Sequence, residues 1–472
     1  VPVKDLIIDL HCPYCGSALE EEERFSLERS DGTYGIVHCA CYRYPVIGGI
    51  VVLRQISTLA DTRNTAVHYL EIGEPDNALT CALTSMSPIP LPREKNLQVV
   101  AGLLGGKSSV FARKLADIDQ SRKIRRVLDE QITFRQALSL LRPVGYSHYL
   151  FYRYANNSFL ASMALLSLLK ELQADSYLGG RAAGNSHTKI RVLDFPCGVG
   201  HSCFLMTNMY PHYVVTAADY DFVNLYIARR YLIPGITCVC VDAEIPLPFA
   251  DNAFDAVFCL DGLHYIRSKV ALLSELNRVL EPLGLWLFPH LHNASVHNVS
   301  AGIPLKRQDY LRCFEFVESR VLSEAKVLED LVKTQTLDLS QEADGADLER
   351  VEAFTLVGSN RSDLWRRHDG ISSLPWKHKA GLSINPIYRV TSNGSSLRLQ
   401  MNWPNSSLEE ECATIKAYLP VECEVDKSLW DRMKKGVLGA GDEVAIQRLL
   451  NSFVLVRLPR EYGEFAVQEN GH

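Results

Sequence analysis

Residues Ile190–Gly200, IRVLDFPCGVG, decide the fold of this chain. Val192 and Leu193 are adjacent and apolar, as in a strand covered on both faces. Gly198 and Gly200 then give a turn whose backbone a ligand can approach closely, and His201-SCFLMTNMY continues as a helix. A strand, a glycine turn and a helix in this order place the turn at the carboxyl end of the first strand of a doubly wound sheet, where such sheets bind ligands.

The same rhythm continues outward. A second strand, Tyr213-VVTAA, ends in Asp219, at about the spacing where an acidic side chain meets the hydroxyls of a bound ribose. Thr237-CVCV ends in Asp242, Phe254-DAVFCL ends near Asp261, and Gly284-LWLFPHL follows the amphipathic helix LLSELNRVL. The acidic or glycine-bearing strand ends therefore fall on one edge of the sheet.

A dinucleotide site would carry a third glycine three residues beyond Gly200, where Cys203 stands, and has no need of Asp194 before the turn. The order strand, Asp194, Cys197-Gly198-x-Gly200, Asp219, Asp242-Ala243 and Phe254-Asp255 resembles instead the class I S-adenosylmethionine (SAM) dependent methyltransferases, over about Lys189 to His292. The resemblance implies an α/β fold built on a doubly wound, mostly parallel, seven-stranded sheet, with SAM as cofactor. It implies that Asp194, Cys197, Gly198 and Gly200 surround the methionyl half of SAM, with Pro196 in place of the first glycine of the usual D-x-G-C-G-x-G. Asp219 would hold the ribose hydroxyls beside Tyr220, Asp242 and Ala243 would meet the adenine edge, and Leu260 would close the pocket beneath the sulfonium. Proline has no N–H, so the start of this turn must be hydrogen-bonded in another way.

At the N-terminus, Cys12-Pro-Tyr-Cys15 and Cys39-Ala-Cys41 flank the hairpin-like FSLERSDGTYGIVH, the sequence form of a zinc ribbon. The second pair is C-x-C where C-x-x-C is usual, which brings His38 in as a replacement ligand, although adjacent His38 and Cys39 rarely both reach one metal. Tyr44-PVIGGIVVL, after the second pair, resembles the small zinc-ribbon subunit that partners tRNA and translation-factor methyltransferases. The partner would here lie in the same chain. A closed four-thiolate site leaves no open position for substrate, so its zinc would be structural.

With 472 residues the chain has room for two to four domains, and a hydrophobic share of 47% against 22% charged gives globular composition. The reading divides it into a ribbon at 1–56, a helical block at 57–182, a SAM-binding core at 183–300 and a C-terminal cap with the remaining edge strands at 301–472. No apolar run reaches the length of a membrane span, about 18 residues, and no signal peptide is visible, so the expected location is cytoplasmic and no membrane partner is expected. The net charge of −6 speaks against a general nucleic-acid binder. Of thirteen cysteines, Cys238, Cys240 and Cys259 alternate with apolar residues and read as small core residues.

In the helical block, NNSFLASMALLSLLKEL repeats apolar residues at three and four, and Lys107–Arg126 holds seven basic and two acidic residues, either a solvated face or a patch for an anionic acceptor. Tyr149-LFYRYANNSF is crowded with aromatics; Tyr152 and Tyr154 would line the cofactor pocket or form a packing seam. Gly179-GRAAGNSHT reads as a linker. Beyond His292, Gln308 to about Thr334 reads as helical, while LSINPIYRVT, LRLQMNW and SFVLVRLP read as the antiparallel edge strands of the main sheet.

His264, His290 and His292 follow the fourth and fifth strands on the ligand edge and are the candidates for a general base. The functional expectation is SAM-dependent methyl transfer to a small-molecule acceptor, with secondary metabolism as a candidate setting. Methylation of a tRNA or protein, and SAM binding without methyl transfer, are the alternatives.

Overall fold

In the computed structural model the described residues are 1–54, 60–89, 91, 119–128, 132–169, 189–209, 213–298, 302–342, 348–371, 382–439, 441–458, 462 and 468–469. The linker at 179–188 and residues 107–118 of the basic run lie outside them.

The strands read around the glycine turn lie side by side and parallel, in the order Thr237–Cys240, Tyr213–Asp219, Ile190–Asp194, Phe254–Phe258, Leu280–His292. The order reverses between Ile190–Asp194 and Phe254–Phe258. Connections leave that point in opposite directions, which opens a crevice at the carboxyl ends of the strands. Val192 feeds one hydrophobic core and Leu193 the other, so both faces of the strand are covered.

The sheet exceeds the expected seven strands: it has twelve among the described residues. At one side Ala353–Gly358 pairs antiparallel with Leu280–His292, and Ser319–Ser323 pairs antiparallel with Ala353–Gly358. At the other, Ile50–Val52 runs parallel to Thr237–Cys240, and the pairing continues through Arg43–Ile47 to Gly32–His38. The N-terminal ribbon is therefore a lateral extension of the central sheet. Leu53 N donates to Cys240 O at 2.9 Å, and Arg229 Nε reaches across to Gly48 O at 2.8 Å.

Two expectations for the C-terminal part are corrected. The antiparallel strands that complete the sheet come from residues 319–358. The later alternating segments are strands, but they build separate small sheets: Leu382–Ile384 pairs with Leu455–Arg457, and Tyr388–Asn393 with Ser396–Met401, which pairs in turn with Glu422–Asp426. The stretch Gln308–Thr334 is not helical throughout. Helices Arg307–Cys313 and Glu324–Lys333 are interrupted by the strand Ser319–Ser323, whose last residue caps the second helix by accepting from Lys326 N.

In the helical block, Ala60–Glu71, Pro75–Ser85, Phe134–Leu141, Val144–Phe151 and Asn157–Leu168 are helices. Thr133 and Gln136 form a capping box at the start of Phe134–Leu141. Asn157–Leu168, amphipathic by its spacing, is buried on every side. Its polar groups are nonetheless satisfied: the Ser162 and Ser167 hydroxyls donate to carbonyls of their own helix at 2.6 Å, and Asn157 bonds both Glu411 O and Ile415 N. No described helix is long and apolar enough to cross a membrane.

A buried ion pair ties the helical block to the core. Arg142, with no exposed side-chain surface, places Nη2 at 2.8 Å from Asp221 Oδ2 and also donates to Asn224 Oδ1 at 2.6 Å and Ser87 Oγ at 3.0 Å. Asp221 in turn caps the helix Phe222–Ile227 through Val223 N. Arg142→Ala leaves the Asp221 charge buried without its partner and is expected to cost about 3–5 kcal/mol, read as a lower urea midpoint; a loss under about 1 kcal/mol would show that the pair does not anchor the block.

Candidate functional site

In the ribbon the sulfurs of Cys12, Cys15, Cys39 and Cys41 lie within 4.8 Å of one another. Cys12–Cys41 and Cys39–Cys41 are 3.5 Å apart and Cys15–Cys39 3.8 Å, far beyond a disulfide bond. Zinc–thiolate bonds of about 2.3 Å in a tetrahedron give edges of roughly 3.8 Å, so the four thiols fit such an ion. Tyr14 N and Tyr42 N donate to the sulfurs of Cys12 and Cys39. His38 turns away, its Nε2 at 3.8 Å from Glu20 Oε2.

At the crevice, the turn after Ile190–Asp194 is held from its neighbours. Cys197 N donates to Ala218 O at 2.9 Å, Gly198 N to Asp219 Oδ2 at 2.7 Å, and Gly200 N to Cys197 O at 3.0 Å. These bonds replace what Pro196 cannot donate. Gly262, from the loop after Phe254–Phe258, packs so closely on the Pro196 ring that an added Cβ would come within 2.3 Å of it. Gly198 has φ +55° with open space where a Cβ would sit. Gly200, at φ +80°, packs against Ala228 and Ile233.

The other residues of the edge divide into buried and accessible. Asp194 accepts from Cys203 Sγ at 3.0 Å, which gives the cysteine at the third-glycine position a role. Asp219 accepts from Gly198 N and Asp221 N. Burial pushes both carboxyls up to about 7. Ala243 is buried, while Cys197, Gly198, Tyr220, Asp242 and Leu260 are partly exposed along the edge. Arg54, at the end of the ribbon, lies 3.6 Å over the Tyr220 ring and donates to the Tyr220 carbonyl.

Beside the turn, the strand ends gather a cluster around Asp261. Its Oδ1 lies 3.1 Å from His292 Nε2, 3.7 Å from His290 Nε2 and 4.0 Å from His264 Nδ1. Its Oδ2 accepts from Tyr149 Oη and from Arg153 Nη1 at 3.0 Å. His290 Nδ1 bonds Glu324 Oε2 at 2.7 Å, and His292 Nδ1 bonds Asn298 Oδ1. Burial opposes ionisation of Asp261, but His290, Arg153 and the bond from His292 hold its carboxyl well below the usual range. For His290 burial is outweighed by Glu324 and Asp261, which push the imidazole up to about 9; burial lowers His264 to about 3. Asp261 (φ 56°) and His290 (φ 61°) both sit in the left-handed region, a conformation that costs energy and aims their side chains into the cluster.

Residues 193–288 match a family described as a methyltransferase domain. This segment has the fold of SAM-dependent methyltransferases. The chain is 34% identical over 110 residues to a malonyl-[acyl-carrier protein] O-methyltransferase of Herminiimonas arsenicoxydans, which covers 23% of this chain and 40% of that protein. It is 38% identical over 95 residues to a ubiquinone/menaquinone biosynthesis C-methyltransferase of Desulfotalea psychrophila, covering 20% and 38%. Against a fatty-acid O-methyltransferase of Mycolicibacterium smegmatis the identity is 34% over 100 residues, covering 21% and 36%. The chain spans less than half the length of these relatives.

The methyltransferase core brings His264, His290 and His292 together, with the His292 ring centroid 4.2 Å from that of His264 and 4.6 Å from that of His290. Tyr154 belongs to a packing seam with Phe159, His201 and Tyr462, and Tyr152 packs edge-on against Phe151. Tyr149 and Arg153 are the members of that aromatic run that reach the site, and Glu324 arrives from the stretch read as helical beyond His292, where nothing in the sequence tied it to the site. Tyr149 lies in the last turn of Val144–Phe151 and Arg153 in the 3-10 turn Arg153–Ala155 that follows it.

Gly198, with open space at its Cβ position, and Gly262, packed on Pro196, should respond differently to a methyl group. Gly198→Ala is expected to cost about 1–2 kcal/mol, from its positive φ alone. Gly262→Ala forces Pro196 and the turn to move and should lower the melting temperature further. Equal melting temperatures for the two variants would contradict the packing of Gly262 on Pro196.

Proposed function

We propose that this protein transfers a methyl group from SAM to a small-molecule acceptor held at the Asp261 cluster. The observation that carries this is the contact of Gly262 with Pro196, which puts the loop bearing Asp261 and His264 directly against the glycine turn. Among the relatives, the three described above are named for an acyl-carrier-bound malonyl group, a quinone precursor pathway and a fatty acid. The cluster is enclosed, its Asp261, His264 and His292 side chains no more than 12% exposed, which suits a small acceptor better than a helix of RNA.

The residues fit SAM on two grounds: the open space above Gly198 admits a ligand against the backbone, and Asp219 presents a carboxylate one strand away. Cys197, Gly198 and Gly200, with Asp194 and Pro196 behind them, would hold its methionyl half, Asp219 and Tyr220 its ribose and adenine, and Asp242, Ala243 and Leu260 the remaining rim. SAM supplies a methyl group made electrophilic by its sulfonium. The chain's part is alignment and exclusion of water, with His264, His290 and His292 as the groups that hold or take the acceptor's proton. In this reading the four cysteines hold a structural zinc, and the ribbon, the helical block and the C-terminal segment frame the core.

A transfer assay with methyl-labelled SAM and a cell extract tests the reading: label should enter the small-molecule fraction, and label confined to RNA or protein would overturn the choice of acceptor. Asp219→Asn is expected to weaken SAM binding at least tenfold, about 1.4 kcal/mol. Because burial holds the Asp219 carboxyl near 7, the ionised form prevails only above that pH. Wild-type affinity by calorimetry should therefore rise from pH 6 to 8 while the variant stays flat; unchanged affinity in the variant would remove Asp219 from the ribose site. Elemental analysis should find zinc at about one ion per chain in the four-thiolate site, absent from a Cys12→Ser/Cys15→Ser variant; full retention there would reject the ribbon assignment.

A further inference from the structure

We propose that Asp261, His264 and His292 bind a second divalent metal ion of the zinc or ferrous type, at the point where the acceptor would enter. The inference deepens the functional reading of this site and rests on it only for the identity of the acceptor. One carboxylate oxygen and two ring nitrogens lie within 4.8 Å of one another. The separations from Asp261 Oδ1, 3.1 Å to His292 Nε2 and 4.0 Å to His264 Nδ1, approach the roughly 3.0–3.4 Å between neighbouring ligands on an ion with bonds of about 2.0–2.1 Å. Two imidazoles and one carboxylate are the donor set that zinc and non-haem iron take, with positions left open for substrate, whereas magnesium and calcium prefer oxygen throughout.

The surroundings are those of a prepared ligand set. His292 bonds Asn298 through Nδ1, which turns Nε2 toward Asp261. Tyr149 and Arg153 bind Asp261 through Oδ2 and leave Oδ1 to the imidazoles. His290 is fixed on Glu324 beside them. The positive φ of Asp261 holds its carboxylate in this direction against backbone preference. Such an ion would draw an acceptor hydroxyl or carboxylate to its open position and so select oxygen-bearing acceptors. The lone pairs of His264 and His292 then serve the ion rather than a proton, and His290 is left as the one of the three that holds or takes the acceptor's proton.

Full-length protein titrated with Co²⁺ after removal of its metals separates the two sites by spectrum. The ribbon thiolates give sulfur-to-cobalt charge-transfer bands, and the Asp261 site gives only ligand-field bands. Wild type is expected to take about two equivalents, one of each kind. His264→Gln and His292→Gln should each weaken the second at least tenfold and leave the thiolate bands intact, with circular dichroism confirming the fold. Wild type that binds only the thiolate equivalent overturns the proposal whatever the variants do, as does a second equivalent unaffected by both substitutions. SAM affinity measured on the same samples is a separate readout, so failure of the cofactor reading leaves the metal count to stand or fall on its own.

Discussion

An open sheet must find partners for the backbone of its last strand, and the arrangement of this chain follows from how Thr237–Cys240 finds them. The partner is Ile50–Val52, which adds in parallel and makes the ribbon and the core one sheet. A ribbon of this size holds little core of its own. Here Val3, Leu6, Ile7 and Leu10 share a core with Val239, Val241 and Phe249. The same junction delivers Arg54 to the face of Tyr220, so a residue of the ribbon stands at the ligand edge of the sheet. An ion held by Cys12, Cys15, Cys39 and Cys41 would thus secure a hairpin on whose far strand that edge depends.

The central strands were legible because each carries its own evidence: an apolar run, a turn residue and a helix in succession. Pairing across long distances was not. LRLQMNW alternates as a strand should, but alternation reports which residues share a face and says nothing of which strand lies alongside. Ser319–Ser323 escaped for the opposite reason, since its apolar residues fall in register with the helices on both sides and only the capping Ser323 marks the break. In the site, Asp194, the glycines and Asp219 stand next to one another in the pattern of strand and turn. Tyr149, Arg153 and Glu324 join Asp261 only through tertiary packing, which leaves no periodic trace.

Pro196 shows how a departure from a pattern is absorbed. Its missing amide would leave the start of the turn short of a donor, and the adjacent strand makes this good by accepting from Cys197 and Gly198 through Ala218 and Asp219. Asp219 therefore has two duties. It holds the turn through Gly198 N, and in the proposed reading it would also offer its remaining lone pairs to the ribose, which would couple the shape of the turn to the charge of a single buried carboxylate.

Two buried charge clusters flank this turn, and their geometries differ in a way that separates scaffolding from chemistry. Around Asp221, the Arg142 contacts fall between 2.6 and 3.0 Å, ordinary bonding distances, with Nη2 shared between Asp221 and Asn224 and Nη1 on Ser87. Around Asp261, three imidazoles converge on one oxygen at 3.1 to 4.0 Å, with two further donors on its second oxygen. A carboxylate oxygen has two lone pairs, so it cannot bond three rings at once. Two of the rings also have second acceptors, His290 on Glu324 and His292 on Asn298, and the backbone at Asp261 and His290 takes the left-handed conformation that brings the groups together. The Asp221 cluster answers its own electrostatics. The Asp261 cluster instead gathers one carboxylate and three rings where the loop after Phe254–Phe258 meets the glycine turn, the arrangement on which the proposed acceptor and metal site rests.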